Sequence, residues 1–580
     1  MYRRNNQHLQ QPLFSSLSDL PEKQRQKLED SWAGSFYRDF FMRLDEDIFA
    51  VLYSGKPSRP NIPVNVLMGL EVLKAGFGWS DAELYDGFCF NLQVRYALGY
   101  RDLSEGHFEL RTLYNFRHAL TEHMQSTGEN LIEKAFEQIT DEQLDAFALQ
   151  TGMQRMDSTP IASNIRVMSR LQLLVEVLQR VHRMLNEADQ QHYADDFAPY
   201  LKGSSGQYLY HLKGEATADH LQRIGPLMQR LVEELAAAYA DEPAYRVLQR
   251  VFDEHFIVEA QALRPRKGSE LSAASLQSPD DWEASYRQKR GEDQVGYVAN
   301  ISETCDPEND LQLIVKVQVA PNNTDDATLL AEALPDLKAR TDVDQLNTDG
   351  GYNSSDVDDR MRELQVEQIQ TAIRGRSPAA GKLSLQDFEW QTDEHGQPQT
   401  VTCPEQQQVE VLPGRKDGRF LAYFSGCESC PVRDQCPTSP NKRQAQRVLR
   451  FSQHDLDLAL RRQRSARARS DGQNLRAAVE ATMRSIKHPF GNGKLSVRGQ
   501  PRVSMLMVAS AVMVNIRRIW RYKLAKLEQM EQAEQARVEK AQQNGQMASP
   551  QPTFALSIVH LVCASIRHFR ATRQPAPAYL

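Results

Sequence analysis

Near Gln150 the spacing of apolar residues changes period, and this limits what the chain can fold into. Upstream, VNVLMGLEVLKAGFGWSDAELYDGFCF places apolar residues three and four apart, the period of an amphipathic helix. Pro60 and Pro63 punctuate its start, and Ser80 with Glu83 three positions on is a capping-box signal. From about Trp32 to Thr121 the pattern predicts short helices with brief turns, a unit whose uses include helix-turn-helix DNA binding. Downstream, FALQTGMQRMDSTPIASN reads as a strand ending at Asp157. GYVANISET (296–304) and LQLIVKVQVA (311–320) read as antiparallel strands joined by CDPEND. DDATLLAEALPDLKAR predicts a helix, DVDQLNTDGGY a short strand running into a Gly-Gly turn, and SSDVDDRMRELQ another helix.

This order predicts a mixed α/β core interrupted by two insertions. At 580 residues, roughly three or four domains are expected. The expected division starts with a flexible polar N-terminus (1–35) and a helical N-terminal domain (36–145). The α/β domain is assembled from 146–165, 285–375 and 470–523. A mainly helical insertion covers 166–284, a cysteine-rich insertion 376–469 that is loop-rich over 375–440, and a C-terminal helix and tail 524–580, with a last short helix near 554–572. Residues 455–488 and 502–523 read as helical. MYRRNNQHLQQPLF has no apolar core behind its arginines, and no apolar run reaches the roughly 18 residues of a membrane span, so a soluble intracellular protein is expected.

The net charge is −7, yet 441–523 carries 19 Lys and Arg against 4 Asp and Glu. One basic segment in an acidic chain is the footprint of a localised polyanion contact; a solvated helical face is the alternative. The run RRQRSARARS offers Arg461, Arg462, Arg464 and Arg467 as a phosphate-binding surface. Lys289, Arg290 and Lys316 lie near the expected sheet and are further candidates for DNA contact. His107 and His118 read as structural or surface residues, Trp79 and Trp520 as core.

Four of the seven cysteines, Cys403, Cys427, Cys430 and Cys436, follow the spacing C-x23-C-x2-C-x5-C. Four thiolates with one C-x-x-C knuckle suit a tetrahedral structural zinc, with incidental thiols or a redox pair as alternatives. Cys89, Cys305 and Cys563 read as buried small hydrophobes.

Phosphoryl transfer assisted by two metal ions needs acidic side chains converging from different elements. Asp157 and Asp349 each close an expected strand, and Glu480 lies in NLRAAVEATMRSIK. A single strand-end Asp is more often a solvated turn or helix cap. Arg476, Glu480, Arg484 and Lys487 are spaced to share one helical face, where a carboxylate could hold a metal and the cations a phosphodiester. Ordinary surface ion pairs would give the same spacing.

Taken together, QRMDSTPIASN, TDGGYNS and RAAVEATMRSIK resemble the two aspartate motifs and the glutamate motif of DDE transposases from bacterial insertion sequences. Arg476, Glu480 and Lys487 fit that family's Arg-x3-Glu-x6-Lys; its preceding tyrosine is Gln473 here. RPNIPVNVLMGLEVLK and LSEGHFELRTLYNFRHAL resemble the InsH-type N-terminal domain, YRQKRGEDQVGYVANISET the strand pair after the first aspartate, and VNIRRIWRY the closing basic helix. The resemblance covers roughly 35–523. It implies a ribonuclease H-like catalytic core with a zinc-ribbon-like insertion. The implied activity is Mg2+-dependent cleavage at transposon ends and strand transfer into target DNA. It further implies Asp157, Asp349 and Glu480 as catalytic ligands of two Mg2+ ions, with Mn2+ possible. Arg476, Arg484 and Lys487 would hold DNA. The implied partners are double-stranded terminal inverted repeats and target DNA, bound by a homodimer on paired ends, in the bacterial cytoplasm near the nucleoid. Two other functions stay open: a catalytically silent DNA-binding protein of the same fold, and a zinc-ribbon interaction adaptor.

Overall fold

The period change at Gln150 coincides with a structural one. In the computed structural model, helices occupy Glu22–Glu29, Trp32–Asp39, Val64–Phe77, Asp81–Phe90, Leu92–Ala97, Leu110–Thr127 and Leu131–Ala146, and the first strand begins at Met153. The structure describes residues 1–543 except 11–14, 57–59, 211, 213–216, 260–261, 290, 372, 374–378, 394–395, 417, 442–444 and 471–474. Ser80 and Glu83 form the reciprocal capping box. The expectation of a loose 1–35 is corrected: Leu17 and Leu28 are buried, and Tyr2 packs against the core. The expected helix near 554–572, with Cys563, lies outside the described residues, as do Arg290 and Gln473.

Strand β1 (Met153–Ile161) is followed by a helical insertion with its own apolar core, built chiefly from Arg170–Met184, Thr217–Tyr239 and Pro243–His255. It ends in the hairpin β2 (Phe256–Glu259) and β3 (Ala262–Pro265). The main sheet then continues with β4 (Ser285–Lys289), β5 (Glu292–Thr304), β6 (Ile314–Pro321), β7 (Gln345–Thr348) and β8 (Glu367–Gln370). Its order is β4-β5-β1-β7-β8, with β6 also paired to β5. The pairs β1–β5, β4–β5 and β5–β6 are antiparallel, whereas β1–β7 and β7–β8 are parallel. Parallel neighbours need crossovers, supplied by Asp326–Arg340 before β7 and Ser355–Glu363 before β8.

The segment expected to be loop-rich is instead largely sheet. Strands β9 (Glu389–Thr392), β10 (Pro398–Thr402), β11 (Gln408–Pro413), β12 (Arg419–Ser425), β13 (Ser439–Pro440) and β14 (Gln446–Ser452) pair in the order β13-β14-β12-β11-β10-β9. A small core of Phe388, Val401, Ala422, Phe424, Leu449 and Phe451 lies under it.

Helix Gln500–Gln543 ties the molecule together. Met507, Met513 and Ile516 share one core with the N-terminal helices and with Tyr297, Ile301 and Val317 of the sheet. Lys523 pairs with Asp39 at 2.8 Å, and Asn130 donates to Ser504 at 3.0 Å. This helix is long and apolar enough to cross a membrane by length and composition, which the search for apolar runs did not anticipate; 83% of its most apolar window is buried in the fold.

Candidate active site

Strands β1 and β7 run side by side only over Met153–Arg155 and Gln345–Asn347. Past that point the ladder between them stops, and β7 ends at Thr348 while β1 runs on to Ile161; in open α/β sheets ligands sit where strands part in this way. Asp157 does not end its strand, as expected, but sits mid-strand: Asp157 through Ile161 stay paired with β5. Asp349 follows Thr348, the last residue of β7. Its loop is pinned by the Gly351 amide donating to Asp349 Oδ1 at 2.6 Å and by the buried Tyr352 hydroxyl donating to Asn300 Oδ1 at 2.6 Å.

Alternate residues of a strand share a face. On β1 these are Arg155, Asp157 and Thr159, and the segment 475–487 touches all three. Arg155 Nη1 donates to the Leu475 carbonyl at 2.9 Å, Arg476 Nη2 to Asp157 Oδ2 at 3.0 Å, and Lys487 Nζ to Thr159 Oγ1 at 3.1 Å. The segment is not one helix: Leu475–Ala478 is a 3-10 turn and Val479–Lys487 an α-helix. Val479, Thr482, Met483 and Ile486 face inward, leaving Glu480 and Arg484 exposed. The expected single stripe is therefore split: Arg476 and Lys487 turn to β1, while Glu480 and Arg484 face solvent.

Arg476 Nη2 stands 3.0 Å from Asp157 and 3.9 Å from Asp349. Both aspartates thus converge on one guanidinium. Burial pushes the Asp157 carboxyl above its ordinary range; Arg476 and the Ser158 amide oppose this, and Asp349 adds to it. Burial also lowers the Lys487 ammonium. The donors are hard oxygens whose combined negative charge needs a cation, so they fit a magnesium-type ion. Glu480 is the expected ligand that the fold does not bring in. Among the described residues, no three His, Cys, Asp or Glu side chains gather closely enough to hold a metal.

The cysteines are nearer one another than to a ligand set. Cys403 follows β10 and Cys427 follows β12, strands that end at the same edge. The Cys427 thiol is pushed up by burial and then by Cys430, Cys436 and Cys403, yet no three of them reach metal-holding distance. Cys305 is buried as expected; Cys89 is only partly so.

Several expected DNA contacts are corrected. Arg461 is 1% exposed and paired with Asp358, so its guanidinium cannot meet a phosphate without leaving the core. Arg464 lies 3.7 Å from Glu367, and burial lowers its pKa. Lys316 is enclosed by Glu133, Glu137 and Asp336; burial works against its charge, but the carboxylates hold its pKa above the ordinary lysine value. Arg462 is half-buried and Arg467 exposed. His107 and His118 are exposed beside Glu109 and Glu122. Trp520 donates its indole N–H to the Asp30 carbonyl, and Trp79 stacks on Phe77. The sequence reading missed Arg155, an arginine inside an apolar strand two residues before Asp157.

A mixed α/β sheet that presents paired aspartates beneath a cationic segment belongs to the broad class of acidic, cation-seeking sites. Residues 402–520 match the family model of the transposase DDE domain. The matched stretch holds Arg476, Glu480 and Lys487 but neither Asp157 nor Asp349. No curated protein and no solved structure matches the chain.

Proposed function

We propose that the chain is a transposase that cuts transposon ends and joins them to target DNA in a Mg2+-dependent reaction. The observation that carries this is the convergence of Asp157 and Asp349 where β1 and β7 part, beneath Arg476 from the matched segment. The strand pairing, antiparallel β6-β5-β1 continued by parallel β7 and β8, supports a ribonuclease H-like reading of the core. Asp157 and Asp349 would hold Mg2+ or Mn2+, two ions per site, once Glu480 turns inward to complete the set. The bound ions would supply the charge that activates an attacking oxygen and stabilises the leaving one. Arg476 would exchange its aspartates for a phosphate of the scissile strand. Lys487 and the exposed Arg484 would hold neighbouring phosphates, which positions DNA without reading its sequence. Arg462 and Arg467 remain candidates on the flank.

The helical N-terminal unit, InsH-type in this reading, would add duplex contacts. A cavity of about 650 Å³ between it and the Gln500–Gln543 helix presents Arg498 and Arg502; Lys74 and Arg117 also line it but are already paired with Asp81 and Glu71. The expected partners are terminal inverted repeats and target DNA, held by a homodimer on paired ends. The cysteine spacing supports a structural zinc in the insertion; metal content of the purified protein tests it, with one zinc per chain expected.

The deciding experiment is nicking of a supercoiled plasmid carrying the element's ends. Wild type should nick with Mg2+, and Asp157→Asn should not. A second reading, a DNA-binding protein that does not cut, is favoured by the outward Glu480. Salt-sensitive duplex binding with no nicking by wild type would establish it.

A further inference from the structure

One carboxylate outside the acidic site organises the site. Glu303 of β5 lies opposite Arg155 of β1 and is fully buried. Both of its oxygens are engaged: Oε1 accepts from Arg155 Nε at 2.6 Å, and Oε2 accepts from Thr482 Oγ1 at 2.8 Å and from Arg518 Nη1 at 2.7 Å. Arg518 also donates to Thr482 and to the Gln312 carbonyl. Glu303 thus joins β1, β5, the Val479–Lys487 helix and the Gln500–Gln543 helix at one point.

Its neighbours carry the site. Arg155 lies two residues before Asp157 on the same strand face, and its other nitrogen holds the carbonyl of Leu475, the residue before Arg476. Thr482 lies two residues after Glu480 and faces the opposite way, into the core. One end of this network therefore fixes where the 3-10 turn starts, and the other fixes the rotation of the helix bearing Glu480. We propose that Glu303 is a positioning residue, which through Arg155 sets Arg476 against Asp157 and Asp349 and through Thr482 fixes the rotation of the helix that carries Glu480. This rests on the reaction proposed above. Groups of this kind, which hold ligands without touching the metal, change metal affinity or activity by about 10–100-fold when lost.

The test is plasmid nicking by full-length protein over a Mg2+ titration, with duplex affinity without metal and thermal unfolding measured in parallel. Glu303→Gln keeps the shape and removes the charge. The expected result is a half-saturating Mg2+ concentration raised about 10–100-fold, partial recovery by Mn2+ and unchanged duplex affinity. A purely structural role would lower the unfolding midpoint and the active fraction but leave the metal dependence of the remaining activity as in wild type; that result overturns the proposal. If Glu303→Gln does not fold, Thr482→Val and Arg155→Lys decide. A raised Mg2+ requirement in either supports the proposal, and wild-type dependence in both overturns it. Wild type that never nicks would instead defeat the reaction itself, and the positioning role with it.

Discussion

Arg461 and Arg476 lie on adjoining segments of the same basic stretch, and their guanidiniums do opposite things. Arg461 is sealed against Asp358 in the packing of the Gln453–Ser470 helix. Arg476 stands between two aspartates, 3.0 Å from Asp157 and 3.9 Å from Asp349. Counting charge along the sequence treats the two alike. Only burial separates a cation already committed to the fold from one that can exchange its partner for a phosphate.

Four measurements would break or sharpen this contrast. The largest effect belongs to the paired aspartates: Asp349→Asn should lower Mg2+-dependent nicking on the order of a thousand-fold while leaving duplex binding intact, and near-wild-type nicking would end the assignment. Next is Arg461→Met. Breaking a buried pair costs about 3–5 kcal/mol, so chemical unfolding should show a loss of this size, with no change in the salt dependence of DNA binding beyond any loss of folded protein. Arg484→Ala should do the reverse, leaving stability unchanged and reducing the slope of log affinity against log salt by about 1. If Arg461 changed the slope and Arg484 the stability, their roles would be exchanged.

The smallest effect concerns pH. Asp157 has a folded pKa raised above its unfolded value, chiefly by burial. Its contribution to stability is therefore fully present below the ordinary carboxylate pKa and is lost as pH rises through the folded value. Asp157→Asn should accordingly unfold at a slightly higher temperature than wild type near neutral pH. The gap should close on acidification below the ordinary carboxylate range. A gap that widened with acid would mean the charge is stabilising.

How much of this was legible in the sequence differs by region, for physical reasons. The Ser80 cap, the β5–β6 pair and the strand leading to Asp349 follow from local patterns that tertiary packing reinforces. The strand expected to end at Asp157 runs on through Pro160 to Ile161. Pro160 is tolerated because β7 has already left that side of β1, and a strand edge does not need the missing N–H. Strands β9–β13 were read as loop because many of their positions are polar and exposed; β11, for example, buries only Val411. The acidic site was legible as three carboxylates. That two of them meet while Glu480 faces outward depends on the 3-10 turn before its helix, which helical spacing could not reveal.

Gly76 has no room for a side chain: a β-carbon there would overlap Met513 of the long C-terminal helix. The first helices to be synthesised therefore wait for one of the last before their apolar faces are covered. During translation they would emerge with those faces open to water, and the usual order in which an N-terminal part folds before the rest is made does not apply. Contacts spanning over 400 residues of chain, such as Arg517 to the Gly76 carbonyl and Trp520 to Asp30, make closure slow. A chain ended before this helix would leave the apolar faces of the N-terminal helices uncovered, while the 166–284 insertion would keep its own core.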